Sequence, residues 1–263
     1  MSEVVQVSID GHVAEVMLNR PGKLNALDIE TFAALDAAAR SVASEKSIRA
    51  VVLHGAGENF CSGIDLEALA AGGEKVAAQL LGPVEGSVAN LAQRAAYSWR
   101  ELPMPVISAV RGVAFGGGFQ VAMGAGLRYA APDAKFSIME SKWGIIPDMG
   151  ITTTLRGNVA PDRLKELAFL AEVFDAEEAA RIGAVTRICD DPLGAARDTA
   201  AAIAERSPQA IRGIKRLVNE AWSLSEADCL ALEAAIQMRI LGSANQAEAV
   251  SANLEKRRPN FAD

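Results

Sequence analysis

Residues 4–9 and 12–18 both favour strand, and Asp10-Gly11 between them is a two-residue signal for a tight turn, so the chain is expected to open as a hairpin. The period then changes. Phe32, Leu35, Ala39 and Val42 fall on one face at helical spacing behind Asp28, a natural N-cap, and the helix leads into a buried-looking strand at 50–54. Residues 70–89 mix glycine, alanine and proline without a firm period and are expected to be a mobile loop or short helices. Another buried strand is expected at 105–110, a helix over 119–127 after a glycine triplet, and extended chain at 135–138.

From about Pro161 the pattern is almost wholly helical. Leu164, Leu167, Ala168 and Ala171 form one stripe, and Asp175 with Glu178 makes a capping box before the next short helix. A strand near 184–188 interrupts, and Ser207-Pro208 then starts a run of Ala-, Leu- and Ile-rich helix to about Leu254. Strand–helix alternation followed by a helical tail implies an α/β core, residues 1–199, with a helical region over 200–263. No fixed-period repeat or low-complexity linker is evident.

With 263 residues, 50% of them hydrophobic and 22% charged, the composition is that of an ordinary globular enzyme and not of a disordered chain. A net charge of -7 gives no global basic footprint, which makes nucleic acid a poor partner. Local clusters such as Arg20 with Lys23, or Lys256-Arg257-Arg258, suit either a few phosphates or plain surface solvation. The longest uncharged run, 112–127, is glycine-rich and shorter than the roughly 20 apolar residues of a membrane span. With no basic and apolar leader pattern at the start, a cytoplasmic location is expected. Three widely spaced cysteines without a C-x-x-C pair argue against a disulfide framework and a zinc site.

Dinucleotide, P-loop and serine-hydrolase motifs are all missing. His12 and His54, the only histidines, lie in expected strands and suit packing. The informative stretch is 111–154, where Gly116-Gly117-Gly118 is followed by Glu140 and Asp148. Glycines let backbone pass close to a ligand and free an amide at a helix start, and carboxylates can move protons without a metal or flavin. By itself the triplet reads better as a tight strand-to-helix turn than as a functional site.

Asn19-Arg20-Pro21 with Asn25-Ala26-Leu27, Phe60-Cys61-Ser62-Gly63-Ile64-Asp65-Leu66, the segment 112–118, Ala134-Lys135-Phe136 with Glu140, and Gly144-Ile145-Ile146-Pro147 together resemble the crotonase, or enoyl-CoA hydratase/isomerase, family. The resemblance continues through Ser207-Pro208-Gln209-Ala210 to Arg258-Pro259-Asn260-Phe261 and so covers nearly the whole chain. It implies a spiral core of repeated ββα units with a helical trimerisation region. It also implies a coenzyme A thioester as substrate, with no separate cofactor, and a homotrimer or dimer of trimers. The thioester oxygen would be held by the amides of Ile64 and Gly117, and CoA contacted around Lys23, Ala26, Ser62, Asp65, Leu66 and Gly116.

The reaction is harder to assign. Hydratases of the family use two glutamates around one water, whereas this chain has Gln120 at the first position, and an amide cannot exchange a proton as a carboxylate does. Isomerases only move a proton along the acyl chain. Asp148, eight residues after Glu140, matches the dienoyl-CoA isomerase branch, in which an aspartate takes a proton near the thioester and the glutamate returns one further along. That branch usually carries an aspartate where Gln120 stands, so Gln120 is expected to bond a water or Glu140. Double-bond isomerisation is therefore the leading expectation. Hydration by a single acid is the alternative, and a non-catalytic acyl-CoA- or RNA-binding scaffold is the alternative of another class.

Overall fold

The computed structural model describes residues 3–263. The opening hairpin forms as expected: β1 (Val5–Asp10) pairs antiparallel with β2 (Val13–Leu18), Asp10 facing Val13 across the turn. Asp28 then caps α1 (Ile29–Ser44), its carboxylate accepting from the Thr31 amide at 2.9 Å. β3 (Ala50–Gly55) follows, then α2 (Leu66–Leu81), which Gly73 breaks into two short helical pieces at φ 51° and ψ -143°. Next come α3 (Leu91–Glu101), β4 (Val106–Val110) and β5 (Val113–Phe115).

α4 (Gly117–Met123) is shorter than the sequence pattern suggested, and residue 127 already belongs to β6 (Leu127–Ala130). Gly124 packs against the Ala96 carbonyl of α3 with helical dihedrals, and the chain leaves the helix just after it, where the Gly126 amide bonds Val106 O at 3.0 Å to start the next strand. β7 (Lys135–Ser137), α5 (Ile151–Thr154), α6 (Pro161–Leu170), β8 (Phe174–Asp175), α7 (Ala176–Arg181) and β9 (Arg187–Ile188) complete the mixed region. Of the expected capping box at α7 only half forms. Asp175 accepts from the Glu178 amide at 2.9 Å, while the Glu178 carboxylate pairs with Arg163 and Arg181. Four helices end the chain: α8 (Pro192–Ala204), α9 (Pro208–Ala221), α10 (Glu226–Ile240) and α11 (Ala244–Leu254).

The main sheet has strand order β1-β2-β3-β4-β6-β9, parallel from β2 onward, and a smaller sheet has order β5-β7-β8. Strands β3 and β4 are buried on both faces, as parallel strands between helices should be. Val51 and Leu53 face the large core with α1 and α3, while Ala50, Val52, Ile107 and Ala109 face Ala196 and Ala200 of α8. Residue 200, near the boundary suggested by sequence, thus lies inside a helix packed on the sheet. Phe119, Phe136 and Phe174 pack with ring centroids 5.9 to 6.2 Å apart and fasten α4 to the small sheet.

Among the described residues no helix is long and apolar enough to cross a membrane. The α3–α4 contact has a checkable consequence. A Cβ at Gly124 would stand 3.0 Å from the Ala96 carbonyl carbon and closer still to its oxygen. Gly124→Ala should therefore lose about 1–3 kcal/mol in urea unfolding, opposite in sign to the usual gain for Gly→Ala at a helical φ. A stabilised variant would contradict this packing.

Candidate active site

Two single parallel bridges bring the loop after β3 to the start of α4. Cys61 pairs with the β5 residue Ala114, through Cys61 N to Val113 O and Phe115 N to Cys61 O, both 3.0 Å. Ile64 pairs with Leu27, through Leu27 N to Gly63 O at 2.8 Å and Asp65 N to Leu27 O at 2.9 Å. In this pattern the neighbours of Ile64 make the bonds, so its own N–H points away from Leu27. The Gly117 N–H is an orphan donor at the N-terminus of α4. Neither amide has an acceptor among the described residues.

The close approach depends on missing side chains. Gly63, at φ 99°, lies so near β5 that a Cβ would sit 2.8 Å from Phe115 O and 3.6 Å from Gly117 N. A Cβ at Gly118 would be 2.8 Å from the sulfur of Cys61. Cys61 itself is fully buried, and burial pushes its thiol up to about 12, so it is packing and not a nucleophile. A Cβ at Gly117 would meet Met149, Leu27 and Ile64 at 3.1, 3.2 and 3.5 Å.

Gly116 carries the turn at φ 49° and faces Glu140, whose carboxylate lies 3.5 Å from where a Cβ would be. Glu140 opens a short 3-10 turn and is 4% exposed. Its Oε1 accepts from Gln120 Nε2 at 2.6 Å, and the Gln120 Oε1 accepts from the Met149 amide at 2.8 Å. Its Oε2 is buried without a hydrogen-bond partner among the described residues. Burial raises the Glu140 carboxyl above the usual range, and the charge of Asp148 adds to this. Asp148, half-buried, is likewise raised by burial.

A cleft of about 90 Å³ joins these groups, lined by Ser62, Ile64, Leu66, Gly116, Gly117 and Glu140, with Trp143 and Ile145 at its rim. Asp148 is not among the lining residues and acts on Glu140 from beside the cleft. Lys23 is exposed and paired with Glu67 at 3.2 Å, and the Ala26 carbonyl is engaged by Arg20. Asp65 caps α2 and pairs with Arg20 at 3.2 Å. Among the described residues, the stretch 70–89 contributes nothing to the cleft wall. A much larger cavity, about 790 Å³, lies between α3, α9 and α10, away from this chemistry.

The sequence suggested only phosphate binding or surface solvation for Arg20, and for Asn25 only a place in a motif. Arg20 bonds Ala26 O, Asp28 and Asp65 together, and Asn25, left-handed at φ 55° and 1% exposed, donates to Ala56 O and Asn59 O. The pair fixes the loop that presents Ile64. A buried asparagine beside an arginine in a turn was the available signal. Neither histidine touches the cleft: His12 bonds Ser47 O and His54 bonds Glu15.

Residues 8–263 match the family model described as enoyl-CoA hydratase/isomerase. The chain is 31% identical to the short-chain-enoyl-CoA hydratase of Clostridium acetobutylicum, over 95% of this chain and 94% of that one. It is 30% identical to the peroxisomal Delta(3,5)-Delta(2,4)-dienoyl-CoA isomerase of Arabidopsis thaliana, over 99% and 96%. The crystal structure of an enoyl-CoA hydratase from Bacillus anthracis superposes with a TM-score of 0.90 at 27% identity, covering 98% of both chains. Fold, motifs and relatives agree: the chain has the crotonase fold and belongs to the enoyl-CoA hydratase/isomerase family, whose members of both reaction types are among its relatives.

Proposed function

We propose that this enzyme isomerises a double bond in an enoyl- or dienoyl-CoA. The observation that carries this is the amide at Gln120. Hydration through two acids needs a second carboxylate facing Glu140 across a water, and at Gln120 the facing group is an amide already bonded to Glu140 and Met149. A carboxamide neither takes nor returns a proton at ordinary pH.

The thioester oxygen would lie between the Ile64 and Gly117 N–H groups. Removing a proton beside the thioester moves charge onto that oxygen, where each preorganised donor is worth about 3 kcal/mol. On a 3,5-dienoyl-CoA, Asp148 takes the proton from C2 and the electron pair delocalises through the diene onto oxygen. As the carbonyl re-forms, the double bonds settle at 2,4 and Glu140, whose burial favours the protonated form, delivers a proton to C6. One proton leaves and one arrives, so the step balances without a redox group, and CoA enters only as part of the substrate. Ser62, Leu66 and Gly116 line the cleft, and these residues with Lys23, Ala26 and Asp65 are assigned to CoA.

The exposed apolar side chains of the helical region, among them Trp222, Leu230, Met238, Leu241 and Leu254, support assembly of residues 200–263 into a homotrimer or dimer of trimers. Three free cysteines fit a reducing cytoplasmic compartment.

Ultraviolet absorbance with a 3,5-dienoyl-CoA should show the conjugated 2,4-dienoyl product forming. Glu140→Gln should lower the rate on the order of 10²–10⁴-fold with CoA-thioester affinity largely kept. Hydration of a 2-enoyl-CoA with no conjugation of the dienoyl ester would establish single-acid hydration instead, and an active Glu140→Gln would remove Glu140 from the chemistry. The raised Glu140 carboxyl makes a second prediction for the same variant. The native state holds this proton more tightly than the unfolded chain, so the stability it lends is full below about pH 4 and lost as pH rises through the raised value. Glu140→Gln should therefore gain on the native protein in urea unfolding as pH rises from acid to neutral. A difference independent of pH would contradict the burial effect.

A further inference from the structure

The orientation of the Gln120 amide follows from its partners. A backbone N–H can only donate, so the Gln120 atom 2.8 Å from the Met149 amide is the carbonyl oxygen, and the atom 2.6 Å from Glu140 is the NH₂ group. Gln120 is 1% exposed on α4, every residue of which is buried, so neither end is free to swing. Because Oε1 of Glu140 is occupied by an N–H donor, a proton on this carboxyl belongs on Oε2. That oxygen is the buried one with no partner among the described residues.

We infer that Gln120 is a positioning residue that decides which oxygen of Glu140 carries the transferable proton and, through the Met149 amide, holds the turn bearing Asp148 in register with it. The inference rests on the role proposed above for Glu140. It gives the amide a purpose that a glutamate at the same position could not serve. A carboxylate would still face the Met149 N–H, but its other oxygen would meet Oε1 of Glu140, and the two could stay together only by sharing a proton there. The proton would then be held between the two glutamates and not on Oε2. Asp148 is the charged neighbour whose field reaches Glu140, and it directly precedes Met149, the residue whose amide Gln120 holds.

The test uses carbon-13 NMR titration of glutamate carboxyls in the full-length protein, with Glu140 assigned by loss of its signal in Glu140→Gln. In the native protein Glu140 should titrate in a step reported equally by the Gln120 side-chain amide protons. In Gln120→Glu two coupled steps should replace it, the upper one displaced upward by about one unit or more. The acid–base profile of kcat/KM should move with it, and kcat should fall on the order of 10-fold or more. A Gln120→Glu protein in which Glu140 titrates as in the native chain overturns the inference. If that variant does not fold, the native titration decides: Gln120 amide protons indifferent to Glu140 ionisation overturn it equally. The two proposals separate cleanly. Coupled titration without dienoyl turnover refutes isomerisation and keeps the role of Gln120, whereas turnover with an unmoved titration does the reverse.

Discussion

Everything at this site depends on two loops approaching more closely than side chains would permit. Gly63 against Phe115 and Gly118 against Cys61 leave no room for a Cβ, and the bridges at Cys61–Ala114 and Leu27–Ile64 hold the loops at that separation. The result is a pair of backbone donors, at Ile64 and Gly117, that the fold itself does not satisfy. Unpaired amides are costly inside a protein, and here they belong to two residues that line one cleft, where, on the function proposed above, a developing oxyanion would use them.

The carboxyl at Glu140 extends the same logic. An ionised carboxylate at 4% exposure would be expensive, and among the described residues the Gln120 amide bonds it and no cation does. The group therefore favours its neutral form, which is the form able to deliver a proton. Stability and chemistry pull in opposite directions at this residue, as they do at the orphan amides. The aromatic trio of Phe119, Phe136 and Phe174 and the two-sided core around β3 and β4 offset such local costs while keeping α4 immobile.

Local signals were legible in the chain where they were strong. The Asp10-Gly11 hairpin and the Asp28-capped helix needed only near neighbours. α3 was missed although its signals were there to read: Leu91, Ala92, Ala95, Ala96 and Trp99 recur at helical spacing, and Asn90 with Gln93 forms a capping box. The length of α4 was overestimated because the strand that follows begins with a bond from Gly126 to Val106, a residue remote in sequence. At the site, the motif residues Ser62, Ile64, Gly116, Gly117 and Glu140 line one cleft. The Gln120–Met149 bond spans 29 residues, and Arg20 reaches 45 residues to Asp65, so their partners followed only from the three-dimensional arrangement.

The most direct test of the paired donors is the carbon-13 resonance of a labelled thioester carbonyl in an acyl-CoA bound to the protein. Two N–H groups converging on the oxygen should polarise the carbonyl and move the resonance downfield of the free ligand, with the shift lost when binding is competed by unlabelled ester. A saturated complex whose carbonyl resonates where the free thioester does would contradict the convergence of Ile64 and Gly117 on the substrate oxygen.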